Sequence, residues 1–276
     1  MSFNQRCITV DGVALNVIDE GRGPAVLLVH GFPDDHRVWR KQIPALVAAG
    51  FRVIAPDMRG CGESDAPGRI AAYRIDRLRD DLAAVLDALG LDQVALIGHD
   101  WGAVIGWHFA MYHPARVSRY AALSVGHPQM YATAGLGQKL KGWYVLMFQL
   151  RGFAEWLLSA HHWRVFRMLT QQPDEADHWI GRLQRPGRLS AALSYYRANL
   201  GIILPRRHPP VTQPVLGIWS SGDRFLSESQ MRNSGRLVPQ GWRYERVDGA
   251  GHWLQLQAPE RINRLLLGFL KSKVYP

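Results

Sequence analysis

Residues 95–103 read Ala-Leu-Ile-Gly-His-Asp-Trp-Gly-Ala, an apolar run that passes directly into a Gly-x-Asp-x-Gly corner. Such a run predicts a buried strand, and the stretch from Ala103 to Tyr112, stopped near Pro114, predicts the helix that follows. A strand-to-helix corner this tight needs glycine where backbones approach closely, here at 98 and 102, and it presents the central side chain at the strand's end. That side chain is Asp100. Corners of the form Gly-x-Ser-x-Gly present a hydroxyl suited to acyl transfer. A carboxylate attacking an ester would give only an unstable anhydride, whereas attack on saturated carbon bearing a leaving group gives an alkyl ester that water can hydrolyse. Epoxides and haloalkanes are substrates of that kind.

Strands and helices alternate on either side of this corner. Asp11-Gly12 separates Ile8–Val10 from Val13–Ile18, which predicts an opening antiparallel hairpin of edge strands. Ala25–Val29 predicts a buried strand ending at the loop His30-Gly31-Phe32-Pro33-Asp34. Trp39–Ala49 predicts a helix, Phe51–Ala55 a strand, and Tyr73–Leu89 a helix stopped by Gly90. Val94–Ile97 and Tyr120–Val125 are strand-like. From Gln129 to Pro210 the chain is rich in Trp, Leu, Phe and Met at helical spacing, with no strand pattern. Val215–Trp219, a helix near Glu228–Leu237, Trp242–Val247 and a helix over Pro259–Leu270 then restore the alternation. The predicted fold is α/β, a mostly parallel central sheet flanked by helices with an inserted helical cap. Its core is expected over 1–128 and 211–276 and its cap, or lid, over 129–210, hinged at Pro205–Pro214.

Composition narrows the class. The chain has 276 residues, enough for one large domain with an insertion, and no apolar run reaches the length of a membrane span. Met1 to Val10 shows no secretory signal, so a cytoplasmic location is expected. Cys7 and Cys61 are the only cysteines and are read as small packing residues. The net charge of +10 is carried mostly by arginine. The densest stretch, Arg182, Arg185, Arg188, Arg197, Arg206 and Arg207, has no compact run with interleaved aromatics, which argues against nucleic-acid binding. No histidine cluster, His161-His162 included, has metal-ligand spacing, and Gly135-Leu136-Gly137 lacks a third glycine and a preceding strand. No metal and no cofactor is expected.

Ligands of open α/β sheets bind beyond the carboxyl ends of the strands, where four segments of this chain converge: the elbow, the His30–Asp34 loop, Asp223 and His252. Asp223 follows a predicted strand in Gly-Asp-Arg, and His252 follows the next in Gly-His-Trp. The order Asp100, Asp223, His252 is that of nucleophile, acid and histidine in α/β-hydrolases. His252, oriented by Asp223, can act as general base on water, a contribution of about 10²- to 10⁴-fold. Activity should fall on acidification as His252 protonates, around its reference value of roughly 6.5 before its surroundings shift it. The backbone N–H groups of Phe32 and Trp101 are the expected oxyanion hole, each worth about 3 kcal/mol. His30 and His99 are read as locally bonded packing residues.

Together HGFPD, the segment APDMRGCGESDAP at 55–67, GHDWGA and GHW resemble the epoxide hydrolases of the α/β-hydrolase fold, from about Ile8 through the last helix. The resemblance implies two cap tyrosines that bind the epoxide oxygen and protonate it. Tyr196, in Ser-Tyr-Tyr-Arg-Ala-Asn, matches the second; Tyr144, in Gly-Trp-Tyr-Val-Leu-Met-Phe-Gln, the first, with Tyr131 as alternative. Tyr195 points roughly 100° away from Tyr196 on a helix and is assigned to packing. Trp143, Met147, Phe148 and Trp156, with Leu157, are the expected apolar pocket. Haloalkane dehalogenases are similar too, but they often carry Asn where this chain has Phe32. Fluoroacetate dehalogenases follow the nucleophile with Arg, where this chain has Trp101. A ligand receptor on the hydrolase scaffold would lose a member of Asp100, Asp223 and His252, and all three are present. The expected partners are an apolar epoxide and water, with the protein a monomer or homodimer.

Overall fold

The computed structural model describes residues 3–272, so Met1 and Ser2 of the opening segment lie outside the described residues. Eight strands form one sheet: β1 (Gln5–Val10), β2 (Val13–Glu20), β3 (Ala25–Val29), β4 (Arg52–Pro56), β5 (Val94–His99), β6 (Val117–Leu123), β7 (Val215–Ser220) and β8 (Trp242–Val247). Their order across the sheet is β1-β2-β4-β3-β5-β6-β7-β8. From β4 to β8 every neighbouring pair is parallel, while β1–β2 and β2–β4 are antiparallel. The chain thus has the predicted α/β-hydrolase sheet.

Asp11 and Gly12 both take positive φ, 48° and 74°, in the hairpin turn. Of the two hairpin strands only β1 is an edge; β2 is covered on its other side by β4, a pairing that hairpin patterning cannot reveal. The expected helix at 39–49 is two short pieces, His36–Trp39 and Ile43–Ala48, because Pro44 opens the second as a helix start. Every residue of β5 is buried and β3 nearly so, as strands covered on both faces require.

Between β6 and β7 all regular structure is helical, beginning with Pro128–Ala132 and ending with the short turn Leu200–Ile203. The longest element, Phe153–Thr170, is interrupted at Ala160–Trp163, where three residues take left-handed backbone angles. One arginine ties this segment to itself: Arg197 donates to both oxygens of Glu155, at 2.7 and 2.9 Å. Of the two cysteines, Cys61 is half-buried beside the Tyr195 hydroxyl at 3.9 Å, whereas Cys7 is exposed on the edge strand and packs against nothing central. Among the described residues no helix is long and apolar enough to cross a membrane.

Candidate active site

Asp100 closes β5 with φ 54° and ψ −122°, and the helix Trp101–Tyr112 starts at the next residue. A non-glycine residue held there is strained, which only a corner fixed from both sides sustains. Those sides are close: a Cβ on Gly102 would collide with the carbonyls of Val29 and His30, and one on Gly31 with the Asp100 carboxylate. Glycine at both positions lets the loop after β3 lie against the carboxylate, and the Phe32 N–H donates to Asp100 Oδ1 at 2.8 Å. Trp101, the other expected oxyanion donor, opens the helix directly after Asp100.

Asp223 and His252 follow β7 and β8 and reach the same point. His252 Nδ1 lies 2.9 Å from Asp223 Oδ2, and its Nε2 lies 3.4 Å from Asp100 Oδ2. The other oxygen of Asp223 accepts from the N–H groups of Phe225 and Leu226 at 2.8 and 2.9 Å, which fixes the carboxylate that orients the ring. All three side chains are buried.

Burial disfavours the imidazolium, but the Asp223 and Asp100 carboxylates outweigh it and push His252 up to about 10. Burial also disfavours both carboxylates, and His252 outweighs it for each, so Asp100 and Asp223 lie below the usual carboxylate range. The surroundings thus shift this histidine upward from its reference near 6.5: flanked by two carboxylates, it is an imidazolium at neutral pH in the resting protein. Since its folded value exceeds the unfolded one, this protonation contributes stability that is full below 6.5 and lost as pH rises through about 10. Imidazole nitrogen NMR should show His252 titrating near the upper end of that window, and Asp223→Asn should move the midpoint down. A midpoint at 6.5 or lower in the unmodified protein would contradict the double-carboxylate cradle.

Two small cavities, of about 50 and about 40 Å3, meet at Asp100, and both are lined by Tyr144 and Tyr196. Tyr131, the alternative first tyrosine, lines only the larger. The Tyr196 ring stands edge-on to Trp101 at 5.1 Å and to Phe148 at 4.9 Å, and the Tyr144 ring lies 6.0 Å from it. Burial raises both hydroxyls well above the ordinary tyrosine value, so they are protonated donors at neutral pH. Tyr195 turns away, donating to the Arg59 carbonyl at 2.8 Å. His30 and His99 bond locally: His30 Nε2 accepts from the Met58 N–H at 3.0 Å, and His99 Nε2 lies 2.9 Å from the His252 carbonyl.

The expected apolar pocket is only partly found. Phe148 lines the smaller cavity, but Trp143 and Trp156 are 52% and 61% exposed and line neither cavity. Met147 is half-buried and is on neither cavity wall. A helical period marks an apolar face without saying whether it meets a cavity or packs elsewhere. The walls are instead supplied by residues from many segments, among them Val125, Leu158, Phe166, Ile202, Phe225 and Leu226.

Asp34 went unassigned in the sequence. Its buried carboxyl accepts from the Trp179 indole N–H at 2.9 Å and the Trp253 indole N–H at 3.0 Å, and so joins the helical segment to the loop carrying His252. Burial holds this carboxyl well above the usual range. Asp35, His36 and Asp57 form the one compact set of metal-type donors among the described residues. Their lone pairs are already engaged, Asp35 by His178 at 2.8 Å and Asp57 by His36, Asn16 and the Glu63 N–H.

A strained corner presenting a carboxylate, with an acid–histidine pair following the next strands in order, is the arrangement of one fold family, and residues 24–259 match its sequence model, the alpha/beta hydrolase fold. Epoxide hydrolase A of Mycobacterium tuberculosis is 33% identical over 96% of this chain and 97% of that protein. The chain belongs to the epoxide hydrolase group of the α/β-hydrolase fold family. The AB hydrolase superfamily protein YfhM of Bacillus subtilis is 34% identical over 96% of this chain and 97% of that protein. Among solved structures, Epoxide Hydrolase A from Mycobacterium thermoresistibile superposes with a TM-score of 0.83 at 31% identity, covering 99% of this chain and 100% of that one. This epoxide hydrolase thus shares its fold with enzymes of the group.

Proposed function

We propose that the protein opens an epoxide to a vicinal diol in two covalent steps. Residues 129–210 act as a cap over a core made of 1–128 and 211–276, whose outermost residues lie outside the described ones. One Asp100 oxygen attacks a ring carbon; the carbon–oxygen bond breaks, and the departing oxygen takes a proton from Tyr144 or Tyr196, leaving a hydroxyalkyl ester. Esterification removes the charge on Asp100 that helps hold His252 protonated, so the imidazolium gives up its proton and becomes the base that the second step needs. That proton restores the tyrosine. His252 then deprotonates water, hydroxide adds to the ester carbonyl, and the N–H groups of Phe32 and Trp101 stabilise the oxyanion; its collapse breaks the bond between the acyl carbon and the alkyl oxygen, the new carboxylic acid gives its proton to that oxygen, and the diol leaves an ionised Asp100 beside a protonated His252.

The single observation that carries this reading is the placement of two protonated tyrosines, Tyr196 buried and Tyr144 half-buried, on both cavities that meet at the Asp100 carboxylate. A halide needs no such acid. The test supplies aryl epoxides, aliphatic epoxides and haloalkanes side by side and scores diol and free halide; diol without halide is expected, and halide release alone would overturn the reading. Tyr196→Phe should slow ester formation in a single turnover by about 10²- to 10³-fold, the scale of losing one hydrogen-bond donor to a developing oxyanion. Ester hydrolysis should change far less. Unchanged alkylation kinetics would remove Tyr196 from its role.

A further inference from the structure

Pro128, Asn199 and Ile202 line the larger cavity at Asp100 and also, on their far side, a cavity of about 590 Å3 that opens to solvent. This outer chamber is lined by Arg74, Arg79, Arg206, Arg207, His108 and His208. Its one carboxylate, Asp76, is paired with Arg74 at 3.1 Å, and Arg79 is paired with Asp80 at 2.7 Å. Arg206 and Arg207 have no ion-pair partner among the described residues; a side chain on Gly201, in the turn that carries Ile202, would meet the Arg206 guanidinium at 2.9 Å. Deeper in, His108 Nε2 and His208 Nδ1 are buried without a hydrogen-bond partner, and the two rings meet edge-on at 5.2 Å. Unpartnered buried polar atoms are rare in a finished structure and need an explanation. Burial keeps both rings below the ordinary histidine range, His108 at about 3, so they are neutral and the chamber's positive charge is that of its arginines.

An arginine fork matches a carboxylate in shape and charge, and neutral histidines can donate or accept beside it. The wall shared with the catalytic cavity is apolar at Pro128 and Ile202, while Asn199 is spent on the backbone, its amide donating to the carbonyls of Tyr73 and Tyr195 at 2.8 Å each. We propose that the chamber is a subsite for an anionic end group, so that the preferred substrate is an epoxide carrying a carboxylate on an aliphatic linker that passes between Pro128 and Ile202. The proposal rests on the epoxide-opening reading of Asp100 for its reaction, but the anion site itself can be tested without turnover.

The experiment measures kcat/KM for terminal-epoxy carboxylic acids of increasing chain length and for their methyl esters, with the unmodified protein and with Arg206→Gln/Arg207→Gln. The acid-to-ester ratio should peak at one chain length at roughly 10- to 100-fold, the scale of charge-assisted hydrogen bonds, and fall toward one in the double variant. A ratio near one at every length overturns the proposal. So does a preference that is independent of length and survives the substitutions, since the net charge of +10 would produce that alone. If no epoxide is turned over, the reaction assigned to Asp100 fails, and calorimetry with dodecanoate still decides the subsite: binding lost in the double variant supports it, and absent or equal binding overturns it.

Discussion

Asp100→Asn is expected to abolish diol formation, lowering kcat/KM by about 10⁴-fold or more, the scale on which triad hydrolases lose turnover with their nucleophile. The substitution keeps the shape of the side chain and can keep the acceptor that the Phe32 N–H meets at 2.8 Å. What it removes is the negative charge that forms the bond to carbon. It also leaves His252 with Asp223 as its remaining carboxylate partner, so the imidazole should titrate lower than the unmodified protein's value of about 10. Diol yield by chromatography, with circular dichroism to check the fold, separates chemistry from stability. A variant within tenfold of the parent, roughly, would mean that Asp100 does not make the first bond.

The division between what was readable in the chain and what was not follows the range of the interactions involved. Asp100, Asp223 and His252 were readable because each sits in a short glycine-containing corner directly after an apolar run, and parallel strands bring such corners to one sheet end. The helical character of 129–210 was readable for the same local reason. The position of β2 inside the sheet was not, because its partner β4 lies more than thirty residues on and only the folded sheet pairs them.

The pocket walls were harder still. Phe148 and Trp156 belong to equally apolar stretches, yet one lines a cavity with the Asp100 carboxylate and the other is exposed to solvent, a difference set by how short helices tilt over the core. Asp34 gave no signal in the sequence beyond its place in the loop after β3, since the two tryptophans that hold it are 145 and 219 residues away. The protonation of His252 was likewise invisible: the sequence names both carboxylates, but only the distances of 2.9 and 3.4 Å show that one ring faces both.

That ring supports the second large effect. His252→Gln should let the hydroxyalkyl ester on Asp100 accumulate, because glutamine can hydrogen-bond to water but cannot take its proton, and loss of a general base costs about 10²- to 10⁴-fold. Ester formation does not need that base. It needs an ionised Asp100 and a protonated tyrosine, and the buried hydroxyls of Tyr144 and Tyr196 stay protonated whatever stands at 252. The first step slows only by the loss of the positive partner now 3.4 Å from Asp100, while the second loses its base outright. Intact-protein mass after brief exposure to substrate should therefore show one adduct equal to the whole mass of the epoxide, and peptide mapping should place it on Asp100. A haloalkane reacting at the same carboxylate would instead add its mass less that of the hydrogen halide. A variant that turns over without an adduct, or carries one on another residue, would show that product forms by direct attack of water on the ring.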